Sequence, residues 1–198
     1  YEDTKFALDS SGDIYVAGGR RELFYASNVQ TMTLSKFNAN GVLQSFDGST
    51  AGWKRRENTA PAQPIQATKL DKLFSTLVLP NGNVVSAGCS ENTTHFRSRL
   101  QQQDDSGNMV AAFGTPGAID STMSTQSQSI EHCYRDINYH PSVGLIAVGG
   151  IRNGPFSNHG SLYVSAIDES TGASRGLARL GTVNNGYLFA TATTSAGK

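Results

Sequence analysis

A chain of 198 residues is long enough for one domain, or one array of repeats, with a sizeable hydrophobic core. Its 16 basic and 16 acidic residues cancel, so it lacks the basic surplus with which nucleic-acid-binding proteins neutralise phosphates. No apolar run approaches the roughly 18 residues that span a bilayer, and a composition poor in charge but rich in Gly, Ser, Thr and Asn favours turn-rich all-β structure in an extracellular setting.

Three short segments with the same pattern of small and apolar residues divide the chain. They read DIYVAGG (13–19), NVVSAGC (83–89) and GLIAVGG (144–150). The first two follow turn signals at Gly12 and Gly82, the third begins with the turn glycine Gly144, and a fourth signal lies at Gly197. Apolar residues alternate along these segments with the period of two that is typical of a pleated strand. The pattern predicts a hairpin around each of these glycines.

A second series of turn signals lies between the members of the first. Its glycines are Gly41, Gly107 and Gly172, each about 25 to 29 residues after its partner in the first series. Strand-like segments flank these turns, namely TMTLSKF and VLQSF, HFRSRLQ and MVAAF, and SLYVSAI and SRGLARL. Two interleaved series with one phase relation indicate a true repeat, in which each copy has two hairpins, or four strands in a meander.

A four-stranded meander that recurs at this spacing is typical of a β-propeller blade. The predicted fold is all-β, a propeller-like array of four-stranded antiparallel blades in a single repeat domain spanning 1–198. We expect blades at about 5–48, 73–113 and 136–181, and an extra strand at 187–198 that begins a fourth. The small residues Ala17 and Gly18 suit either a strand in a crowded central region or the end of a strand before a loop.

Three blades are too few for a closed propeller, which has about four to eight. An array that does not close leaves edge strands open to pairing. Three arrangements are compatible with the sequence. More chain belongs to the protein, a further chain or a homo-oligomer completes the fold, or the blades pack in some other way.

The turn-and-strand pattern resembles the delta-sixty-type, kelch-like propeller repeats of bacterial surface proteins. The segments that carry the resemblance are KFNANGVLQSFDG (36–48) and DDSGNMVAAFGTPG (104–117), whereas IDESTGASRGLARLG (167–181) lacks the Phe-Gly of the other two. Kelch propellers also end the second strand in Gly-Gly, but they carry a regularly placed Trp, and the single Trp53 of this chain lies in an insert. The resemblance implies a scaffold, often displayed at a cell surface, and it carries over no catalytic residue.

The connections between hairpins and between repeats are predicted to be long. They are 19–30, 49–72, 89–94, 115–133 and 151–160. In an up-and-down meander these connections share one end, and loops on a rigid scaffold commonly carry binding residues. Aromatic rings beside polar groups suit stacking on sugar rings, which predicts the ligand-binding residues Phe24, Tyr25, Trp53, His95, Phe156 and His159. The alternative is that the aromatic residues pin their own loops to the scaffold.

No catalytic, metal or cofactor site is predicted. The histidines lack the spacing of a metal motif, and Asp104 and Asp105 are assigned to turn chemistry. A glycan-cleaving enzyme needs a close pair of carboxylates, but the candidates Glu57, Asp120 and Glu131 are scattered along the chain. The sequence thus favours a protein that is not an enzyme without deciding the question.

The two cysteines, Cys89 and Cys133, are predicted to form a disulfide. Cys89 ends the second strand of the second repeat and Cys133 precedes the first strand of the third, so blade geometry places both at the long-loop end near the central axis. The bond would close a loop of about 44 residues and stabilise the fold by roughly 3 to 4 kcal/mol in the chain-entropy model. The alternative is a pair of buried reduced thiols, the state expected in the cytosol.

Together these patterns predict a secreted or surface-displayed recognition or adhesion module that binds a glycan or another cell-surface ligand at the long-loop end. One alternative is a propeller enzyme that acts on glycans or carries a redox cofactor. A second alternative is a purely structural part of a larger fibre or assembly. Neither a nucleic-acid partner nor a membrane span is expected.

Overall fold

The computed structural model describes residues 5–24, 27–45, 53–56, 72–91, 96–114, 118–121, 130–153 and 159–184. Within these ranges the chain forms strands and turns without a helix, which confirms the predicted all-β class. In chain order the strands are β1 (Phe6–Leu8), β2 (Ile14–Phe24), β3 (Ser27–Phe37), β4 (Trp53–Arg56), β5 (Lys72–Val78), β6 (Val84–Glu91), β7 (Phe96–Gln103), β8 (Ala118–Ser121), β9 (Ile130–His140), β10 (Gly144–Asn153), β11 (His159–Ile167) and β12 (Ser174–Asn184). None of the described residues belongs to a helix that could cross a membrane.

The strands form three separate antiparallel sheets, and each sheet contains four strands that are consecutive in the chain. Sheet 1 contains β1 to β4, sheet 2 contains β5 to β8, and sheet 3 contains β9 to β12. Every sheet is a simple meander, as the repeat predicts. The described strands do not close into a barrel or a ring. The extra strand predicted at 187–198 lies outside the described residues.

Both predicted series of turn glycines are confirmed by the backbone. The φ angles are 85, 85 and 89° at Gly12, Gly82 and Gly144, and 76, 86 and 74° at Gly41, Gly107 and Gly172. This left-handed region is open to glycine and strained for most other residues. The six glycines therefore mark one end of each hairpin, and the sequence spacing located them correctly.

An Asp or Asn side chain closes most of these turns. Asp104 is typical, since its Oδ1 accepts hydrogen bonds from the backbone N–H of Ser106 at 3.0 Å and of Asn108 at 2.8 Å. The corresponding acceptors in other turns are Asp9, Asn38 and Asp168. Such side-chain turns stabilise the hairpin without a hydrophobic contact. The assignment of Asp104 to turn chemistry is confirmed.

The fourth strand of sheet 2 lies later in the chain than predicted. The segment MVAAF pairs with β7 only through the single bridge between Met109 and Gln103. A second turn then closes with the N–H of Phe113 donating to the carbonyl of Val110 at 2.9 Å, and Gly114 follows with a φ of 63°. This extra turn directs the chain back to β7 as β8, so the sheet extends to Ser121 instead of residue 113.

Sheet 1 departs from the prediction in two places. The described part of VLQSF, residues 42–45, makes only the bridge between Leu43 and Phe37, and the fourth strand is β4. The predicted connection 19–30 is largely strand, because β2 and β3 pair continuously from Ile14 opposite Phe37 to Phe24 opposite Ser27. An antiparallel ribbon satisfies the backbone hydrogen bonds of this segment whatever side chains it carries.

Each sheet has two faces that can be matched between the repeats, because successive residues of a strand point to opposite sides. The aligned segments that open β2, β6 and β10 define the matching positions. These are Ile14, Val84 and Leu145 on what we call the rear face, and Tyr15, Val85 and Ile146 on what we call the forward face.

The three sheets are stacked with sheet 2 in the centre, and a forward face packs on a rear face at both contacts. The first core joins Tyr15, Ala17 and Leu34 of sheet 1 to Leu73 and Val84 of sheet 2. The second core joins Val85, Ala87 and Leu100 of sheet 2 to Leu145, Ala147 and Tyr163 of sheet 3. The contact between sheets 1 and 2 therefore has the same arrangement as the contact between sheets 2 and 3.

Glycine is required where the first two strands of sheets 2 and 3 approach each other most closely. A Cβ atom on Gly88 would overlap the carbonyl oxygen of Lys72, and one on Gly149 would overlap the carbonyl oxygen of Cys133. At Gly18 the nearest atom would be 3.6 Å away, which is an ordinary contact. Crowding thus explains the glycine in two of the three repeats.

Candidate binding site at the connection end of the sheets

The meander topology divides each sheet into two ends. The turns that contain the positive-φ glycines lie at one end, which we call the glycine-turn end. The links from the second to the third strand and from one sheet to the next lie at the other, which we call the connection end. The strand ends that flank these links share one end of each sheet, as predicted, but the predicted connections 49–72 and 115–133 also contain the strands β4 and β8.

Neighbouring sheets are aligned with each other at the glycine-turn end. The N–H of Gly114 in sheet 2 donates to the carbonyl of Thr171 in sheet 3 at 2.9 Å. The side-chain amide of Gln102 on β7 donates to the carbonyl of Glu169 at 2.8 Å. These two hydrogen bonds hold the turns of sheets 2 and 3 together, so the connection ends of the same sheets also lie side by side.

Two of the predicted binding residues occupy the connection end. Phe24 is the last residue of β2 and pairs with Ser27 at the start of β3. His159 is the first residue of β11 and pairs with Asn184 at the end of β12. The other candidates Tyr25, His95 and Phe156 fall outside the described residues. The structure thus assigns Phe24 and His159 to the predicted end, in sheets 1 and 3.

The sequence placed Trp53 in a loop at the same end, and this placement is wrong. Trp53 is the first residue of β4 and pairs with Ser35, two residues from the glycine-turn end of β3. Ser35 lies eight positions after Ser27 in β3, which corresponds to about 26 Å along the strand. The insert was interpreted as loop because VLQSF was taken as the fourth strand, whereas that strand begins at Trp53 itself.

The predicted disulfide between Cys89 and Cys133 is confirmed. The two Cα atoms are 4.7 Å apart, and the bond links residues 44 positions apart in the chain. Both cysteines are almost completely buried and pack with Phe74. Because Cys89 lies towards the end of β6 and Cys133 towards the start of β9, the bond joins sheets 2 and 3 in their connection-end halves.

A cation–π contact reinforces the same junction. Phe74 is the additional residue where the register between β5 and β6 shifts, and Arg135 is the additional residue of the shift between β9 and β10. The Arg135 guanidinium lies 4.0 Å from the centroid of the Phe74 ring. Bulges bend a strand and redirect a side chain. Here they bring an aromatic ring and a cation together beside the disulfide.

A polar junction that the sequence did not reveal connects all three sheets at their first strands. Asp136 on β9 is buried, and its Oδ1 accepts a hydrogen bond from the hydroxyl of Ser75 on β5 at 2.8 Å. The same oxygen lies 2.7 Å from Nζ of Lys5, which precedes β1. No clear signal in the sequence pointed to this junction, because β9 also carries the polar residues Arg135 and Asn138 on either side of Asp136.

The contact between sheets 2 and 3 also contains paired hydroxyl groups. The hydroxyls of Ser98 and Tyr163 are hydrogen-bonded, and Tyr134 donates to the Ser165 hydroxyl at 3.2 Å. Burial raises the pKa of Tyr163 far above its ordinary value, so this phenol stays protonated at neutral pH. These hydrogen bonds help to hold the contact between sheets 2 and 3.

The carboxylates of the glycine-turn end are likewise engaged in structure. Asp168 bonds the hydroxyl of Ser170 at 2.6 Å and the guanidinium of Arg175 at 2.5 Å. The Ser170 hydroxyl, Arg175 and the N–H of Thr171 together hold the pKa of Asp168 far below its usual range. Arg175 also donates to the carbonyl of Val143 at 3.1 Å. In the described part of the chain, no group of three or more metal-ligating side chains converges.

The two described carboxylates that were considered for glycan cleavage belong to different sheets. Asp120 lies on β8 of sheet 2, opposite Arg99, and Glu131 lies on β9 of sheet 3, opposite Arg152. Glu57 is outside the described residues. Neither a protein-family model nor a curated protein sequence matches this chain.

Proposed function

We propose that this chain is a propeller-like recognition or adhesion module, secreted or displayed at a cell surface, that binds carbohydrate at its connection end. The observation that carries the proposal is the Cys89–Cys133 disulfide. It ties two sheets together next to the connections where binding residues are expected. Disulfides persist in oxidising compartments and are rare in the cytosol.

The architecture supports the recognition part of the proposal. Loops that bind ligands work best on a scaffold that does not rearrange, because order present before binding lowers the entropy cost of binding. The disulfide and the Arg135–Phe74 contact supply that order between sheets 2 and 3. Phe24 and His159 are located at the connection ends of sheets 1 and 3, where a stacking ring and a hydrogen-bonding imidazole suit a sugar.

The enzymatic alternative receives less support from the described residues. Glycoside hydrolysis needs two carboxylates facing one bond, and Asp136 and Asp168 each serve an ion pair in different parts of the fold. The alternative of a purely structural part in a larger fibre or assembly is supported by a different observation. The stack repeats one sheet-to-sheet relation, and a module of this kind can be extended.

A glycan array probed with the wild-type chain tests the proposal directly, run beside a hydrolysis assay on the same sugars. We expect binding to one class of glycan without release of reducing ends. The variants Phe24→Ala and His159→Ala should each weaken that binding at least about tenfold. The control Leu177→Ala removes a side chain that is 50% exposed on β12 and should bind like the wild type.

Two results would contradict this function. One is the absence of binding to every glycan on the array by a folded, disulfide-bonded sample. The other is binding that survives in both Phe24→Ala and His159→Ala, since the ligand would then be held elsewhere. Turnover of a bound glycan would favour the enzymatic alternative.

A further inference from the structure

The rear face of sheet 1 exposes several large apolar side chains among the described residues. Phe6 and Leu8 on β1 are 66% and 57% exposed, and Leu43 is 45% exposed beside Phe37. Cross-strand pairing places Leu8 beside Ile14 and Phe6 beside Val16, so the exposed groups form one continuous surface. Scattered apolar residues on a surface are common, but a contiguous patch indicates an interaction site.

The repeat identifies what this surface is built to contact. The matching rear faces of sheets 2 and 3, which carry Val84 and Leu145, are both covered by the forward face of the preceding sheet. Ile14 occupies the same position in sheet 1, where none of the described strands covers it. The rear face is therefore the surface on which a forward face packs, and the protein already forms this contact twice. We call the rear face the receiving half of the contact and the forward face the giving half.

The giving half is present at the opposite end of the stack. The forward face of sheet 3 carries Val148, which is buried, Ile146, Val164 and Ala166, which are half-buried, and Ala178, which is exposed. The buried residues of sheet 3 that pack on sheet 2, such as Leu145 and Tyr163, belong to its other face. The two outer faces of the stack thus correspond to the two partners of each internal contact.

We propose that a second copy of this chain docks on sheet 1, with the forward face of its sheet 3 against Phe6, Leu8 and Ile14. The contact is head-to-tail and repeats the internal relation between sheets. Two copies with three sheets each would supply about six sheets, within the range of about four to eight found in closed rings. The inference rests on the propeller-like part of the proposed function and is independent of the ligand.

Sedimentation velocity over a range of protein concentrations tests the association. We expect the wild-type chain to shift from monomer to dimer as its concentration rises. The variants Phe6→Lys and Leu8→Lys place a charge in the receiving face and should each raise the dimer dissociation constant at least about tenfold. A wild-type chain that stays monomeric throughout would overturn the proposal.

The direction of docking is tested by two neighbouring residues on β12. Ala178 lies on the forward face of sheet 3, and Leu177 points to the opposite face, where it is 50% exposed. Head-to-tail docking predicts that Ala178→Lys weakens the dimer as Phe6→Lys does, whereas Leu177→Lys leaves it unchanged. If Phe6→Lys weakens the dimer and Ala178→Lys does not, two copies of sheet 1 face each other and the head-to-tail arrangement is wrong.

Folding and ligand binding are followed separately in the same variants. Circular dichroism and thermal melting of Phe6→Lys and Leu8→Lys should match the wild type, because these side chains are largely exposed. If both variants unfold, Ala178→Lys alone decides the proposal. The glycan array on the monomeric variants separates the docking proposal from the proposed function. Glycan binding can persist when the dimer is lost, and the dimer can persist when no glycan binds.

Discussion

The ammonium group of Lys5 lies 2.7 Å from Oδ1 of Asp136, joining the first strand region of sheet 1 to β9 of sheet 3. Ser75 of sheet 2 donates to the same oxygen at 2.8 Å. The side chain of Asp136 is 7% exposed and that of Lys5 is 34% exposed, so one partner is buried and the other reaches solvent. A single carboxylate therefore connects three sheets whose strands do not pair with one another.

Replacing this carboxylate should destabilise the stack. Asp136→Ala leaves the Ser75 hydroxyl and the Lys5 ammonium without their shared acceptor, at a cost of about 1 to 3 kcal/mol. Urea unfolding monitored by circular dichroism measures the change. Asp105→Ala, at an exposed turn position, is the matched control and should change the free energy of unfolding by less than about 0.5 kcal/mol. Equal effects of the two substitutions would show that Asp136 has no special role.

The disulfide should contribute a large part of the stability. Reduction, or the double substitution of Cys89 and Cys133 by Ala, should lower the free energy of unfolding by about 4 kcal/mol in the chain-entropy model for a loop of 44 residues. Thiol titration of the unfolded, unreduced protein should detect no free sulfhydryl. Two free thiols in that assay would contradict both the bond and the extracellular placement.

Gly88 is expected to tolerate no side chain. Gly88→Ala would force its Cβ into the carbonyl of Lys72, so strand β5 must shift, at a cost of about 1 to 3 kcal/mol or more. Gly176 on β12 provides the control, because a Cβ there meets nothing within 4 Å. Gly176→Ala should be neutral or stabilise the protein by up to about 1 kcal/mol. Thermal melts of the two variants give the comparison, and similar melting temperatures would refute the crowding.

The turn at Asp168 should make stability depend on pH in the acid range. Its folded-state pKa lies below the ordinary value of 3.8, chiefly because the Ser170 hydroxyl and Arg175 bond the charged form. The contribution is therefore complete above about pH 5 and declines as the pH falls below the unfolded pKa towards the folded one. The penalty of Asp168→Asn, measured by urea unfolding, should be larger at about pH 7 than at about pH 3.

Asn38 supplies the control for that experiment. Its side chain closes the equivalent turn of sheet 1 by accepting from the N–H of Asn40 and Val42, but an amide does not titrate. Asn38→Ala should carry a similar penalty at both pH values. A penalty for Asp168→Asn that is equally insensitive to pH would exclude the ion pair as its origin.

Local chemistry explains why much of the fold could be predicted from the sequence. Glycine is the residue that adopts positive φ at little cost, so the spacing of Gly12, Gly82 and Gly144 located the hairpins. Alternation of apolar residues located the adjoining strands, and the repeat related Cys89 to Cys133. These features depend on neighbours in the chain, which a sequence displays.

Edge pairing could not be predicted in the same way. Which segment becomes the fourth strand of sheet 1 depends on the competition between VLQSF and β4 for the edge of β3, and both are compatible with a strand. The outcome places Trp53 on β4, away from the connection end where the sequence predicted it. The junction of Lys5, Ser75 and Asp136 was missed for a related reason, since it joins residues from three repeats.

The contiguity of each sheet in the chain has a consequence for how the protein folds. All four strands of a sheet come from one continuous stretch, so each meander can form its backbone hydrogen bonds as soon as that stretch leaves the ribosome. Burial of the faces must wait for the next meander. In a nascent chain the forward face of the latest sheet therefore stays exposed until the next sheet forms. Oxidation of Cys89 waits until Cys133 in the third meander has been synthesised. Covalent closure is thus a late step that locks sheets already in contact.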